Sequence, residues 1–202
     1  MKLYYYPGAC SIAPHIVARE AGIALDLEKV DLGSKRTATG EDYLAVNPKG
    51  YVPALRLDDG SVLTEVSAII QYLADQAPAS GLIPAAGTME RYRILEWIGY
   101  VSTEIHKGFG PLWNAKLAPE ARAAAVAALA HRLDLVEKVL ARQPFLTGER
   151  FTVVDAYLFA VASWAPWVKL DMAPWPKLRD FVARVAARPK VQEALVAEGL
   201  VE

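Results

Sequence analysis

Residues 77–87, Ala-Pro-Ala-Ser-Gly-Leu-Ile-Pro-Ala-Ala-Gly, place two prolines and two glycines in eleven positions and break both hydrophobic periods found elsewhere in the chain. Before this break the periods alternate. Leu3 to Tyr6 reads as a strand; Ile12, Ile16, Val17 and Ala21 recur at helical spacing up to Gly22; Leu25-Asp-Leu-Glu-Lys-Val30 alternates again. Asp42 to Val46 suits a short helix ahead of Asn47-Pro48. Pro53 to Leu57 and Val62-Leu63 read as strands joined by a two-residue turn at Asp59-Gly60, and Glu65 to Gln76 reads as a helix. After the break only helical spacing remains, in Ile94, Ile98, Val101 and Ile105 and again in Val126, Leu129, Leu133, Val136 and Leu140. The pattern predicts an α/β domain over 1–77, a linker over 78–88 and an all-α helix bundle over 89–202. The order βαβαββα is that of a thioredoxin-like sandwich, although periodicity alone fixes only the α/β class.

Within the helical part, Thr152-Val-Val-Asp155 is a capping-box variant that opens a core helix. The alanine-rich run Ala121 to Ala130 suits a surface helix. Val153 to Val168 is the most apolar stretch, but Asp155 and Pro166 interrupt it, so it reads as a buried helix and not a membrane span. Apolar residues make up 53% of the 202, enough for packed cores. With 22 basic and 23 acidic residues the net charge is -1, which argues against nucleic acid or an anionic membrane as partner. A single cysteine excludes a disulfide framework, and the first residues lack a leader-like apolar core; both features point to a cytoplasmic protein with a small ligand.

That cysteine, Cys10, lies where the first strand turns through Pro7-Gly8-Ala9 into the first helix. A sulfur beside helix-start amides gains about 0.3 to 1 kcal/mol from the positive end of the dipole. At about 1.36 kcal/mol per pKa unit this is enough to raise the thiolate fraction at neutral pH several-fold. Cys10-Ser-Ile-Ala13 holds no second thiol, so any disulfide exchange must take its partner from solution, where the abundant thiol of a reducing cell is glutathione.

Three segments carry a resemblance: Pro7-Gly-Ala-Cys-Ser-Ile-Ala-Pro-His15, Asn47-Pro-Lys-Gly-Tyr-Val-Pro-Ala-Leu55 and Leu63-Thr-Glu-Val-Ser-Ala-Ile-Ile-Gln-Tyr-Leu73. With a helical domain following, they resemble the cytosolic glutathione transferases. Asp31 and Lys35, Glu104-Ile-His-Lys-Gly108, Phe151-Thr-Val-Val-Asp-Ala-Tyr-Leu-Phe159 and the ending Ala194-Leu-Val-Ala-Glu-Gly-Leu200 extend the likeness to the bacterial beta class over essentially the whole chain. The resemblance implies a cis-proline turn at Val52-Pro53 whose Val52 backbone pairs with the cysteinyl part of glutathione. It also implies Glu65 and the Val66 amide as holders of the γ-glutamyl ammonium and carboxylate, Lys35 facing the glycyl carboxylate, and further glutathione contacts from Thr103 and Glu104. Cys10 and His106 are the catalytic candidates, with His106 donating a hydrogen bond to a thiolate. Phe109, Trp113 and Trp164, with Trp167 nearby, are candidates for a second-substrate pocket. His15 and His131 take structural roles, as do Tyr5 and Tyr6.

Two departures stand out. Val66 replaces the small residue usual after the helix-opening glutamate, and Gly99 stands where a side chain is expected; both are expected to weaken glutathione affinity. The implied activity is conjugation of glutathione, as cosubstrate and without a metal, to small hydrophobic electrophiles, in a homodimer. Two alternatives stay open: a glutathione-dependent thiol-disulfide oxidoreductase acting through a Cys10 mixed disulfide, and a non-catalytic binding or regulatory protein of the same fold.

Overall fold

The computed structural model describes all residues from Met1 to Glu202. They fall into two units, Met1–Pro84 with Ala187–Glu202, and Ala85–Ala186. The prolines and glycines of residues 77–87 thus straddle the first boundary. The last sixteen residues, placed in the helical domain by their period alone, belong to the first unit. Helical spacing records that a face is buried but not against what.

The first unit is built on five strands: β1 (Lys2–Tyr5), β2 (Asp26–Asp31), β3 (Arg36–Thr37), β4 (Ala54–Arg56) and β5 (Val62–Thr64). They form a mixed sheet in the order β3-β2-β1-β4-β5, with only β1 and β2 parallel. Register lines up Leu27, Leu3, Leu55 and Leu63 across four neighbouring strands. Because side chains alternate along a strand, the neighbouring row, which includes Tyr4 and Ala54, faces the other way. There it joins Val30, Val52 and the helix α2 (Tyr43–Val46) through Tyr43 and Val46. The helices α1 (Ile12–Glu20) and α3 (Val66–Gln76) pack on one another and bury Ile16, Val17, Ile69, Ile70 and Leu73 completely.

Two local features differ from the sequence reading. The two-residue strand β3 is too short to show a period. The β4–β5 hairpin closes with Leu57 N–H on the Ser61 carbonyl, 2.8 Å, so its loop is Asp58-Asp59-Gly60 and not Asp59-Gly60 alone. Gly60 takes the left-handed φ of 86° that such three-residue loops require. Asp59 then receives both the amide and the hydroxyl of Ser61.

The final helix of the first unit, α9 (Pro189–Ala197), packs on α1 through buried Val191 and Ala194. Arg188 makes a two-pronged ion pair with Glu20, 2.7 and 2.9 Å.

The second unit is entirely helical. Its helix α4 (Met89–Tyr100), capped by Thr88, runs through a π-helical turn at Val101–His106 into the short α5 (Lys107–Phe109). A 22-residue α6 (Pro119–Leu140), α7 (Val153–Ala162) and α8 (Pro176–Ala186) complete it. On α6 the apolar stripe expected from the sequence is buried at Leu129, Leu133, Val136 and Leu140, and most of the alanine run faces outward. Every residue of α7 is buried. No helix is long and apolar enough to cross a membrane.

The start of α7 shows why Asp155 interrupts an apolar run. Its fully buried carboxylate accepts the Thr152 amide at 2.9 Å and the Thr152 hydroxyl at 2.8 Å on one oxygen, and the Leu146 amide at 2.9 Å on the other. The capping box predicted from Thr152 and Asp155 forms and also pins the preceding loop. Replacing Asp155 by alanine orphans two buried amides, each worth about 1 to 3 kcal/mol. Urea unfolding of Asp155→Ala should therefore lose about 2 to 6 kcal/mol, with a smaller loss for Asp155→Asn; a loss within error of zero would contradict this account of the helix start.

Candidate functional site

Cys10 sits on a tightly closed turn. The Ser11 hydroxyl accepts the Tyr6 amide and donates to the Tyr6 carbonyl, both at 3.2 Å, and Ser11 is wholly buried, so its hydroxyl holds the turn. Gly8, at φ 72°, lets the chain reverse. Its amide donates to Glu198 Oε2 at 3.2 Å, and the other oxygen of that buried carboxylate meets His15 Nδ1 at 3.0 Å. Since Arg19 donates to His15 Nε2, the ring proton of neutral His15 lies on Nδ1 and points at Glu198. The end of the chain thereby braces the turn that carries Cys10, a role for Glu198 that the local sequence around it does not reveal.

Cys10 directly precedes the Ser11 N-cap of α1. α1 begins at Ile12, and the Ile12 and Ala13 amides are taken up by the carbonyls of Ala9 and Cys10, at 3.0 and 3.1 Å. Only 8% of Cys10 is exposed, and its Sγ donates to the Val52 carbonyl at 3.5 Å, a bond that only the protonated thiol makes.

Val52 belongs to a turn whose three successive carbonyls are each held by a side chain. Lys35 Nζ donates to Gly50 O at 2.9 Å, Tyr43 Oη and Asn47 Nδ2 both donate to Tyr51 O at 2.7 Å, and Cys10 takes Val52 O. The Val52–Pro53 peptide is cis. The Val52 amide donates to no group of the chain. The turn therefore presents a fixed N–H and C=O pair.

Two of the candidates hold left-handed backbone conformations that favour glycine, Lys35 at φ 57° and Glu65 at φ 72°. Each costs about 1 to 3 kcal/mol, and such residues cluster at functional sites. Glu65 immediately precedes α3, and the Val66 and Ser67 amides that follow it have no acceptor in the chain. Lys49, which the sequence reading did not single out, donates to Glu65 Oε1 at 2.7 Å and Thr64 Oγ1 at 2.9 Å. A carboxylate, an ammonium and open amides thus meet at one helix start, a setting suited to the zwitterionic head of an amino acid. Val66 is buried, in step with Ile69, Ile70, Leu73 and Ala74 on the inner face of α3.

In the second unit the π-helical turn carries Thr103, Glu104 and His106. Thr103 donates to the Gly99 carbonyl at 3.1 Å, and Glu104 pairs with Arg132 at 3.0 Å. At Gly99 an added Cβ would meet nothing within 4 Å. His106 Nδ1 lies 2.7 Å from the Tyr157 hydroxyl, and its ring stands edge-on to Trp164 at 4.9 Å. From Trp164 the aromatic contacts continue to Phe109 at 5.8 Å and Trp113 at 5.6 Å, and from Trp113 to Trp167 at 6.4 Å. Phe109 is wholly buried and serves as packing beneath this array, whereas 46% of Trp113 and 54% of Trp167 are exposed.

The structure thus gathers Cys10, Lys35, Val52 and Pro53 about one turn and Glu65 with Val66 at one helix start. The remaining candidates lie in the second unit.

Burial pushes the Tyr43 phenol up from 10.0 to about 12, against the opposing hydrogen bond with Asn47. The folded state holds this proton more tightly than the unfolded chain, so its stabilisation is full below pH 10.0 and is lost as pH rises towards about 12. In chemical denaturation across that window, Tyr43→Phe should lose stability with pH less steeply than the unmodified protein; parallel curves would contradict the burial-driven rise at Tyr43.

The glutathione S-transferase N-terminal-domain family model matches residues 9–76, and the corresponding C-terminal-domain model matches residues 100–189. The chain is 48% identical over 200 residues to glutathione S-transferase GstA of Escherichia coli O157:H7, covering 99% of this chain and 100% of that one. A sphingomonad glutathione S-transferase complexed with glutathione superposes at a TM-score of 0.95 with 47% identity over 100% of both chains. The bacterial beta class enzyme of Sphingomonas chungbukensis gives 0.95 and 46%, again over 100% of both chains.

Proposed function

The chain belongs to the glutathione S-transferase family, and from that premise we propose that it conjugates the thiolate of glutathione to small hydrophobic electrophiles, with the glutathione held by the first unit. The observation that carries this reading is the Val52 turn. Its N–H has no partner in the chain and its C=O is lent only to a thiol, so the cysteinyl backbone of glutathione can pair there as an added strand does. Glu65 takes the γ-glutamyl ammonium in exchange for Lys49, and the Val66 amide takes the adjoining carboxylate at the helix start. Lys35, already drawn to the Gly50 carbonyl, supplies a positive charge for the glycyl carboxylate.

Chemistry requires the bound thiol to lose its proton, which passes to solvent water. Lowering its pKa by about two units takes about 2.7 kcal/mol and turns a few per cent thiolate at neutral pH into the main species. His106 supplies a hydrogen bond to that sulfur. Cys10 supplies another when glutathione displaces it from Val52. The thiolate then displaces a leaving group from, or adds to, an electrophile held on Trp113 and Trp164 over the Phe109 packing. A homodimer in the cytoplasm belongs to the same proposal.

A second reading rests on Cys10 itself. The sole thiol of the chain lies against the backbone carbonyl proposed to bind the cysteine of glutathione, which is where a mixed disulfide would form.

Steady-state conjugation of an aryl halide separates these readings. Glu65→Gln should raise KM for glutathione about tenfold, the worth of one charge-assisted hydrogen bond, and change kcat much less. Cys10→Ala should keep part of the conjugation and lose all glutathione-dependent disulfide reduction. If Cys10→Ala abolishes both, the thiol-exchange reading replaces conjugation as the main one; if no variant alters the response to glutathione, the site is elsewhere.

A further inference from the structure

We propose that Tyr157 is a positioning residue that fixes His106 in the tautomer with its proton on Nε2. The proposal rests on the reading of His106 as a hydrogen-bond donor and adds the group that makes it one. His106 closes the π-helical turn Val101–His106, and Tyr157 stands in the fully buried helix α7 with only 2% of its surface exposed. Such turns occur frequently at functional sites.

The Tyr157 oxygen lies 2.7 Å from His106 Nδ1, and the two rings are perpendicular. That separation sits at the short end of the range for an N–H donor, and the relative acidities agree with a hydroxyl donor. A phenol is the better proton donor and a neutral imidazole nitrogen the better acceptor, so the hydrogen stays on the tyrosine oxygen and the Nδ1 lone pair receives it. A neutral imidazole has one ring proton; with Nδ1 serving as acceptor, that proton is on Nε2.

Trp164 guards the orientation. Its ring meets His106 at 4.9 Å and 69°, which restricts rotation, and a half-turn of the imidazole would set a carbon against the Tyr157 hydroxyl in place of Nδ1. The ring is therefore fixed in both tautomer and direction. An Nε2–H stabilises an anionic sulfur, whereas the opposite tautomer would present a lone pair to it. Without Tyr157 both tautomers become accessible, and part of the population cannot donate.

The direct test is a long-range proton–nitrogen NMR correlation of histidine-labelled protein at about pH 8, above the ordinary imidazole titration, with His106 assigned by His106→Gln. The unmodified protein should show a bare Nδ1 and a protonated Nε2 at His106, and Tyr157→Phe should move both nitrogens towards a mixture. A proton on Nδ1 in the unmodified protein overturns the proposal, as does a Tyr157→Phe spectrum identical to the original. Should Tyr157→Phe fail to fold, the spectrum of the unmodified protein still decides the tautomer. In aryl-halide conjugation Tyr157→Phe should lower kcat about threefold to tenfold with KM for glutathione unchanged, and should add nothing in a His106→Gln background. Unimpaired conjugation by His106→Gln would instead remove His106 from the reaction, a failure of the reading beneath the proposal that leaves the nitrogen assignment to be judged from the spectra.

Discussion

Three consecutive carbonyls, those of Gly50, Tyr51 and Val52, are held by four side chains, Lys35, Tyr43, Asn47 and Cys10. These donors come from separate parts of the first unit: the β2–β3 loop, α2, the residues after it, and the turn into α1. A turn bound in this way cannot shift without breaking several hydrogen bonds together. The Val52 amide, a main-chain donor that the turn leaves unused, therefore has a fixed direction, and a peptide can recognise it without first paying to order the loop.

The same unit bears a steady cost for its geometry. Lys35 and Glu65 hold left-handed conformations that neither side chain favours, and both are candidates for binding a charged end of the ligand. The surrounding structure fixes them. The Lys35 amide and carbonyl are bonded to Asp31 and Tyr43 at 2.9 and 2.8 Å, and the Glu65 carbonyl receives the Ala68 and Ile69 amides at the start of α3. Behind the Cys10 turn, Glu198 joins the Gly8 amide to His15 so that the last residues of the chain support its first loop.

Much of this was legible in the sequence, because hydrophobic periods depend only on which faces are buried. The α/β character of the first unit, the all-helical second unit, the capping box at Thr152 and the buried helix after it could each be read from spacing. The positions of Cys10, Val52-Pro53 and Glu65 came from motif order, and the structure gathers Cys10 with Val52 about one turn. What could not be read was pairing across sequence distance. Nothing local distinguishes Lys49 from other exposed lysines, yet it is bonded to Glu65; Tyr157 looks like one more aromatic in an apolar helix, yet it touches His106. Likewise α9 has an ordinary amphipathic pattern that does not disclose its partner. The start of α1 was legible only to within a residue, since the turn uses the Ile12 and Ala13 amides for its own closure.

Recognition of glutathione by the Val52 backbone and the start of α3 would register directly in amide chemical shifts. In a titration of nitrogen-labelled protein with reduced glutathione, the Val52, Val66 and Ser67 amides should move together and saturate at one equivalent per chain. If those three amides stay in place while others respond, glutathione binds elsewhere, and the account of the turn as the recognition element is wrong.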